Sequence, residues 1–511
     1  MALGRSWSVA LVGVTGSVVE VEAHLATGIP SLSITGLPDA SLTEARDRVK
    51  AAVINSDVPW PGKRITLGLS PASLPKRGSH FDLALAAALV SGEHERLAPR
   101  LARVIMLGEL GLDGRVRPVT GVLPALLAAA EAGFRRAFVP VENLAEARLV
   151  EEVDSRGVAS LGDVLRFARG EELPEAQVVP ARQAEPGAPP PDFRDVVGQP
   201  LGRLACEVVA AGGHNLLFTG PPGCGKTLLA ERLPWLLPDL SREESLEVTA
   251  IHSVAGTLRR DQPLLVRPPF QAPHHGATPQ SVVGGGSGLA RPGAASLAHR
   301  GVLFLDEAPE FGRGVLEALR QPLESGLIAI RRVGGTAEYP ARFSLVLAAN
   351  LCPCAKPERH CTCRPAQRDG YLTRLSGPLL DRVDVQMRLP AITRREVQDD
   401  RDGVEPTAVL AARVLEARAR AARRYAGTPW RTNGDVPPVE LVRRWPIERQ
   451  ALGCLYEAME KGKVTARGHD RVQRLAWTLA DLAGRDRPTA DDVGAALTLR
   501  TGDRAAADLA A

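Results

Sequence analysis

The chain has 511 residues, more than one ordinary domain holds. Apolar residues make up 44% and charged residues 24%, a globular balance that excludes a mostly disordered chain. A formal net charge of +4 excludes a protein coated in nucleic acid, so any such contact must be local.

Residues 1–170 alternate strand and helix patterns and read as one α/β domain. Residues 18–22 and 32–34 have the two-residue period of strands. Ser41-Leu42-Thr43-Glu44 has the form of a capping box, followed by apolar residues at helical spacing from Leu42 to Val53. Segments 64–69 and 104–107 read as strands and 81–90 as an apolar helix. The longest apolar runs, 83–90 and 121–130, fall well short of the roughly 18 to 20 residues that cross a membrane. Glu20 and Glu22 interrupt the N-terminal apolar stretch without a cleavage site. A cytoplasmic protein with no membrane partner is expected. Residues 171–192 carry six prolines without periodicity and read as an extended linker. A second α/β domain follows over 193–390, and 391–511 has the periodicity of an all-helical domain.

The strongest signal is Gly220-Pro221-Pro222-Gly223-Cys224-Gly225-Lys226-Thr227, which fits GxxxxGK[ST] between an apolar strand at 216–218 and a helical start at 228–230. Glycines let backbone N–H groups curl round phosphates, Lys226 reaches the β and γ oxygens, and the Thr227 hydroxyl ligates Mg²⁺. Lys226 is the only lysine between 76 and 356. The run 301–305 is continuously apolar, as a strand buried on both faces must be, and ends in two carboxylates. Asp306 is placed to hold Mg²⁺ and Glu307 to polarise the attacking water. A third apolar strand, 343–349, ends at Asn350, whose amide either orients water and γ-phosphate or caps the strand. ATP and Mg²⁺ are the expected cofactors.

This order of elements resembles the AAA+ ATPases, in which the third element is sensor 1 and an arginine acting on a neighbouring subunit's nucleotide follows it. Leu379-Leu380-Asp381-Arg382-Val383-Asp384 is similar to that motif, with Arg382 as the finger; the alternative is an ion pair with Asp381 or Asp384. Thr465-Ala466-Arg467-Gly468 opens a helix and resembles the sensor 2 position, which implies that Arg467 touches its own subunit's nucleotide, with Arg471 one turn away. Gly36-Leu37-Pro38-Asp39-Ala40, FQAPHH ending at His275, HRGVLFLDE ending at Glu307 and RLSGPLLDRVD ending at Asp384 narrow the resemblance to the YifB/ComM family of magnesium-chelatase-like ATPases. The resemblance covers essentially the whole chain. It implies an α/β protein with a Lon-protease-like N-terminal domain, an AAA+ P-loop core and a C-terminal helical lid. It further implies a homohexameric ATP-driven motor with DNA as partner, acting in branch migration or as a helicase during natural transformation. A metal-chelatase motor subunit and an ATPase scaffold without DNA activity are the alternatives.

In the Lon-like domain, Pro75-Lys76-Arg77-Gly78-Ser79-His80 resembles the protease loop that carries the nucleophilic serine, with His80 in its place. Leu123 stands where the catalytic lysine is expected, so no Ser–Lys protease is expected and the domain reads as an interaction or ring-building module. Cys352, Cys354, Cys361 and Cys363 crowd into twelve residues. Four thiolates suit a tetrahedral Zn²⁺, although the CxC spacing is tighter than the usual Cx₂C. A transient disulfide or free thiols are the alternatives, and His360 is a substitute ligand. Residues 327–336 read as a hairpin with a Gly-Gly turn, placing Arg331 and Arg332 near its tip as DNA-phosphate contacts in a ring pore. His274 and His275 either line the same pore or cap a turn. Arg413, Arg418, Arg420, Arg423 and Arg424 read as a solvated helix face.

Overall fold

A computed structural model describes residues 2–36, 39–76, 78–173, 190–286, 290–332, 335–356, 361–375, 377–393, 396, 398, 400 and 403–502, without the side chains of 39–43, 332, 335 and 369. Leu37, Pro38, Arg77, most of the 171–192 segment, Gly334, His360, Ser376 and the Arg332 side chain therefore lie outside the described residues.

The N-terminal part is built on a seven-stranded mixed sheet. Ala2–Val12 (β1) and Thr15–Ala26 (β2) make a long antiparallel hairpin, joined by Ser31–Thr35 (β3), Arg64–Ser70 (β4) and Val104–Met106 (β5). Glu109–Leu110 (β6) and Val116–Arg117 (β7) pair separately, and Arg136–Pro140 (β8) and Asp154–Val158 (β9) complete the sheet in the order β3-β4-β2-β1-β5-β8-β9. β1 is not evident from its own sequence pattern; its register against β2 supplies the partner bonds. The helix Asp82–Glu93 is buried at eleven of its residues, which is why it reads as uniformly apolar. The helix Asp39–Ile54 begins two residues before Ser41. Ser41 thus lies inside the helix and not at its N-cap, a correction to the capping-box expectation.

The second sheet is fully parallel, in the order β11-β12-β15-β10-β16: Leu216–Thr219 (β10), Phe270–Gln271 (β11), Val302–Leu305 (β12), Ser344–Ala349 (β15) and Val385–Arg388 (β16). Between β12 and β15 the chain makes a separate antiparallel hairpin, Leu327–Arg332 (β13) with Gly335–Pro340 (β14), in which Arg331 faces Thr336 and Arg332 faces Gly335. Every residue of β12 is buried. A parallel strand covered on both faces must be apolar throughout, so the motif's two carboxylates can only follow it.

One face of this sheet and the C-terminal helices share a single hydrophobic cluster. Phe218, Phe304 and Val346 from the strands join Val209 of the helix Pro200–Gly212, Val414 of Thr407–Arg424 and Leu475 of Ala466–Leu482. The change from strand to helix near residue 390 is thus not a break in the core. The other face packs beneath the β13–β14 hairpin, where Val12 and Val14 of the β1–β2 turn also enter. Gly13 there has φ +66°, and a Cβ would stand 2.6 Å from the Glu338 carbonyl oxygen. The N-terminal domain therefore abuts the hairpin directly.

Candidate active site

In a parallel sheet every strand delivers its C-terminal residues to one edge, and that is where ligands sit in open α/β folds. Here Gly220, Asp306 and Asn350 follow β10, β12 and β15 at that shared edge. The phosphate-loop residues Gly223 and Gly225 have φ of +75° and +90°, and nothing lies within 4 Å of where their Cβ atoms would stand. The loop can thus curl with its backbone bare, as phosphate oxygens require. Cys224 turns inward and is buried. Lys226 is 8% exposed and its Nζ donates to the carbonyls of Gly220 (2.9 Å) and Pro221 (3.0 Å) and to Asn350 Oδ1 (3.0 Å). Asn350 is therefore no simple strand cap; it shares the lysine of the loop. The Thr227 hydroxyl donates to Asp306 Oδ2 at 2.8 Å, so the two oxygens that suit Mg²⁺ are already adjacent. Asp306 Oδ1 accepts the backbone N–H of Glu307 at 2.9 Å.

Glu307 has φ +50°, a left-handed conformation that costs a non-glycine residue of order 1 kcal/mol and is commonest where geometry matters. His275 Nδ1 stands 3.5 Å from its Oε2. His274 lies against His275 with the rings tilted, centroids 4.0 Å apart, and its Nδ1 accepts the Gly276 N–H at 3.1 Å. The pair thus divides its tasks: His274 caps a turn, and His275 faces the carboxylate. β11 pairs with β12 in parallel and carries both histidines to the carboxylate edge. Sequence reasoning named His275 but not its contact with Glu307, because β11 has two residues and no periodicity of its own.

The arginines stand elsewhere. Asp384 precedes β16 at the opposite, N-terminal edge, where its carboxylate accepts the Asn215 N–H at 2.9 Å. Arg471 pairs with Asp384 at 2.8 Å and Arg467 with Asp381 at 2.9 Å. Arg382 pairs with neither aspartate; it meets Glu324 and the Pro378 carbonyl. From Asn215 to Gly220 the chain advances five residues along β10, roughly 16 Å at strand rise. Arg467 is thus bonded, through Asp381, at the end of the sheet away from the phosphate loop. The physical reason is packing: the helix Ala466–Leu482 lies against the N-terminal edge through His214 Nε2 and Thr478 Oγ1, 2.7 Å apart.

The Sγ atoms of Cys352, Cys354, Cys361 and Cys363 all lie within 4.8 Å of one another. Cys352 is 3.2 Å from Cys354 and 3.4 Å from Cys361. A tetrahedral ion with bonds of about 2.3 Å sets its sulfurs about 3.8 Å apart, so the donor set fits Zn²⁺. At the hairpin, Arg331 is exposed. In the N-terminal domain the Ser79 hydroxyl meets Glu109, while Lys76 is buried against the carbonyls of Pro71 and Leu74. His80 Nε2 lies 3.0 Å from the Val9 carbonyl, and burial pulls the ring down to about 4. Leu123 is buried and gives its N–H to Glu146 (2.8 Å), which also meets Ser253 of the ATPase part. Glu146 thus joins the two parts. No Ser–Lys hydrogen bond occurs among the described residues.

A parallel five-stranded sheet whose edge gathers a phosphate loop, an Asp-Glu pair and a polar sensor defines a P-loop ATPase of the AAA+ class. Family models agree: Magnesium chelatase, subunit ChlI matches 192–397, Subunit ChlI of Mg-chelatase matches 21–143, and Magnesium chelatase, subunit ChlI C-terminal matches 404–500. An uncharacterized protein of Mycobacterium tuberculosis is 52% identical over 506 residues, 99% of this chain and all of the relative. Competence protein ComM of Haemophilus influenzae is 38% identical over 491 residues, 95% of each chain. Lon protease of Mycolicibacterium smegmatis is 30% identical over 176 residues, 32% of this chain and 22% of the protease. The chain belongs to the YifB/ComM family of magnesium-chelatase-like AAA+ ATPases. No helix among the described residues is long and apolar enough to cross a membrane.

Proposed function

We propose that the chain is the subunit of a homohexameric ring that hydrolyses ATP in the cytoplasm to remodel DNA, by branch migration or helicase action linked to DNA uptake and recombination. The observation that carries the DNA part is the β13–β14 hairpin. Its base is anchored by the buried Ile328, Ile330 and Tyr339, while Arg331 near its end is exposed. A stiff base with a cationic end suits pushing on a phosphodiester backbone. The likeness to a competence protein over 95% of the chain supports the link to DNA uptake.

In this reading Lys226 reaches the β and γ phosphate oxygens, and Thr227 with Asp306 holds Mg²⁺. When bound, the ion supplies positive charge to those oxygens. Glu307 takes a proton from the attacking water, His275 holds its carboxylate in place, and Asn350 orients the water. Arg382 and Arg467 stand at the far edge from their own phosphate loop and so act on the nucleotide of the next subunit. Charge grows on the γ-phosphoryl oxygens there, which is where guanidinium is useful.

The test is ATPase rate with and without fork, Holliday-junction and linear DNA; a rate indifferent to all three would defeat the DNA reading. Arg331→Ala/Arg332→Ala is expected to lose the stimulation by DNA. Its binding should also show a shallower salt dependence, by roughly 0.7 to 0.9 in log–log slope for each phosphate no longer neutralised, with base preference unchanged. The family models named for a chelatase subunit favour a second reading, a metal-chelatase motor, which predicts ATPase indifferent to DNA.

The cysteine cluster is proposed to hold one structural Zn²⁺ two residues beyond Asn350. Purified protein should carry close to one zinc per chain by elemental analysis, and Cys352→Ser/Cys361→Ser should lose it together with thermal stability. A metal-free wild-type preparation of full stability and ATPase activity would remove the zinc assignment.

A further inference from the structure

The C-terminal helices line a half-open cavity of about 430 Å³ that none of the phosphate-loop residues touches. Three chain segments bring guanidinium groups to its wall. Arg420, Arg423 and Arg424 come from the end of the helix Thr407–Arg424, Arg444 from the end of Pro438–Arg444, and Arg485 and Arg487 from the loop after Ala466–Leu482. Asp486 is the one acidic residue in the wall. Arginine at a helix end is ordinary, because positive charge complements the dipole there. No single helix, however, requires three such ends to converge on one cavity.

Four of these arginines are fixed by carboxylates from outside the wall. Asp481 holds Arg424, Glu440 holds Arg444 at 2.7 Å, Asp492 holds Arg485, and Glu448 lies 3.9 Å from Arg487. Arg420 and Arg423 pair with no carboxylate among the described residues. The same helix spends its other arginines on the fold: Arg413 pairs with Glu207 (2.6 Å) and Glu405 (2.7 Å), and Arg418 bonds the Ala210 carbonyl at 2.8 Å. The solvated-face expectation therefore fails for Arg413, Arg418 and Arg424. Trp445 also lines the cavity, and Tyr425 and Trp430 meet its ring edge-on, at centroid distances of 4.8 and 6.4 Å. An indole so buttressed is a rigid aromatic surface.

We propose that this cavity binds a nucleotide unit, its phosphate on Arg420 and Arg423 and its base against Trp445. The planar guanidinium fork matches phosphate oxygens, and an indole face accepts any base. The volume lies within the range of small-ligand clefts, about 300–1,000 Å³. The unit can arrive within a single strand or as a free nucleotide distinct from the one on the phosphate loop. This site is independent of the hairpin.

Two titrations of the full chain test it. One follows a labelled single-stranded oligonucleotide; the other follows ATP binding to Lys226→Ala protein, whose phosphate loop is disabled. Arg420→Gln/Arg423→Gln is introduced in both, with the melting temperature as the check on folding. If a strand is the source, oligonucleotide affinity falls at least tenfold and the salt slope becomes shallower by about 0.7 for each phosphate no longer neutralised. If a free nucleotide is the source, Lys226→Ala protein shows residual ATP binding that the added substitutions abolish. A folded variant that changes neither titration overturns the proposal. Should the glutamine variant not fold, Arg420→Lys/Arg423→Lys keeps the charge without the fork, and the same two readouts decide. Failure of the DNA reading shows itself separately, as ATPase indifferent to DNA, while the ATP arm still tests the cavity.

Discussion

Lys226→Ala is expected to lose ATP binding at the phosphate loop, leaving at most what the C-terminal cavity holds, whereas Glu307→Gln should bind ATP normally and hydrolyse it slower by about 10² to 10⁴-fold. The two differ because the groups do different work at one edge. Lys226 is nearly buried, and its ammonium donates to two backbone carbonyls and Asn350 Oδ1. The alanine leaves those acceptors without a donor and the β and γ oxygens without a cation. Glutamine at 307 keeps the size and the left-handed backbone of the glutamate but cannot take a proton from water. Equilibrium binding of a fluorescent ATP analogue and single-turnover hydrolysis separate the two effects. Wild-type turnover by Glu307→Gln would remove Glu307 as the base. His275→Ala belongs with Glu307→Gln: its ATP affinity should hold and its hydrolysis should change, because His275 contacts the carboxylate and not the loop.

Arg382→Ala is expected to bind ATP yet hydrolyse it about 10³ to 10⁵ times more slowly, the usual contribution of an arginine finger. Mixing it with Lys226→Ala protein should restore activity. A subunit with an intact phosphate loop then sits beside one with an intact Arg382, and the two complete a site. Arg467→Ala mixed with Lys226→Ala should be rescued in the same way, since Arg467 is bonded to Asp381, the neighbour of Arg382 in sequence, at the edge away from its own loop. Were Arg467 to act within its own subunit, no mixed ring would contain a site with both Lys226 and Arg467. Rescue of Arg382→Ala without rescue of Arg467→Ala would thus return Arg467 to a same-subunit role.

Residues that act within a few positions of one another along the chain were legible from the sequence. The phosphate loop is one continuous octapeptide. Asp306 and Glu307 could be read because a strand covered on both faces must be apolar, so its first carboxylates mark its end. The cysteine cluster spans twelve residues, and folding a short loop suffices to bring its thiols together. The hairpin was legible from its Gly-Gly pair. The arginine helix was not: Arg413, Arg418 and Arg420 look alike in sequence, and partners such as Glu207 and the Ala210 carbonyl, some two hundred residues away, separate fold from cavity.

The sequence by itself determined which residues gather at the carboxyl edge of the sheet, because the phosphate loop and the first polar residues after apolar strands must lie there. Tertiary structure decided which side each remaining group faces. A two-residue strand beside β12 delivers His275 to Glu307, and a helix seated on His214 brings Arg467 to Asp381. Three helix ends meet to form a cavity that no one of them encodes. The reason is physical: local pattern sets whether a segment is strand or helix, but the edge at which a side chain arrives depends on strand order and register. Those are chosen by the burial of apolar surface contributed by segments far apart in the chain.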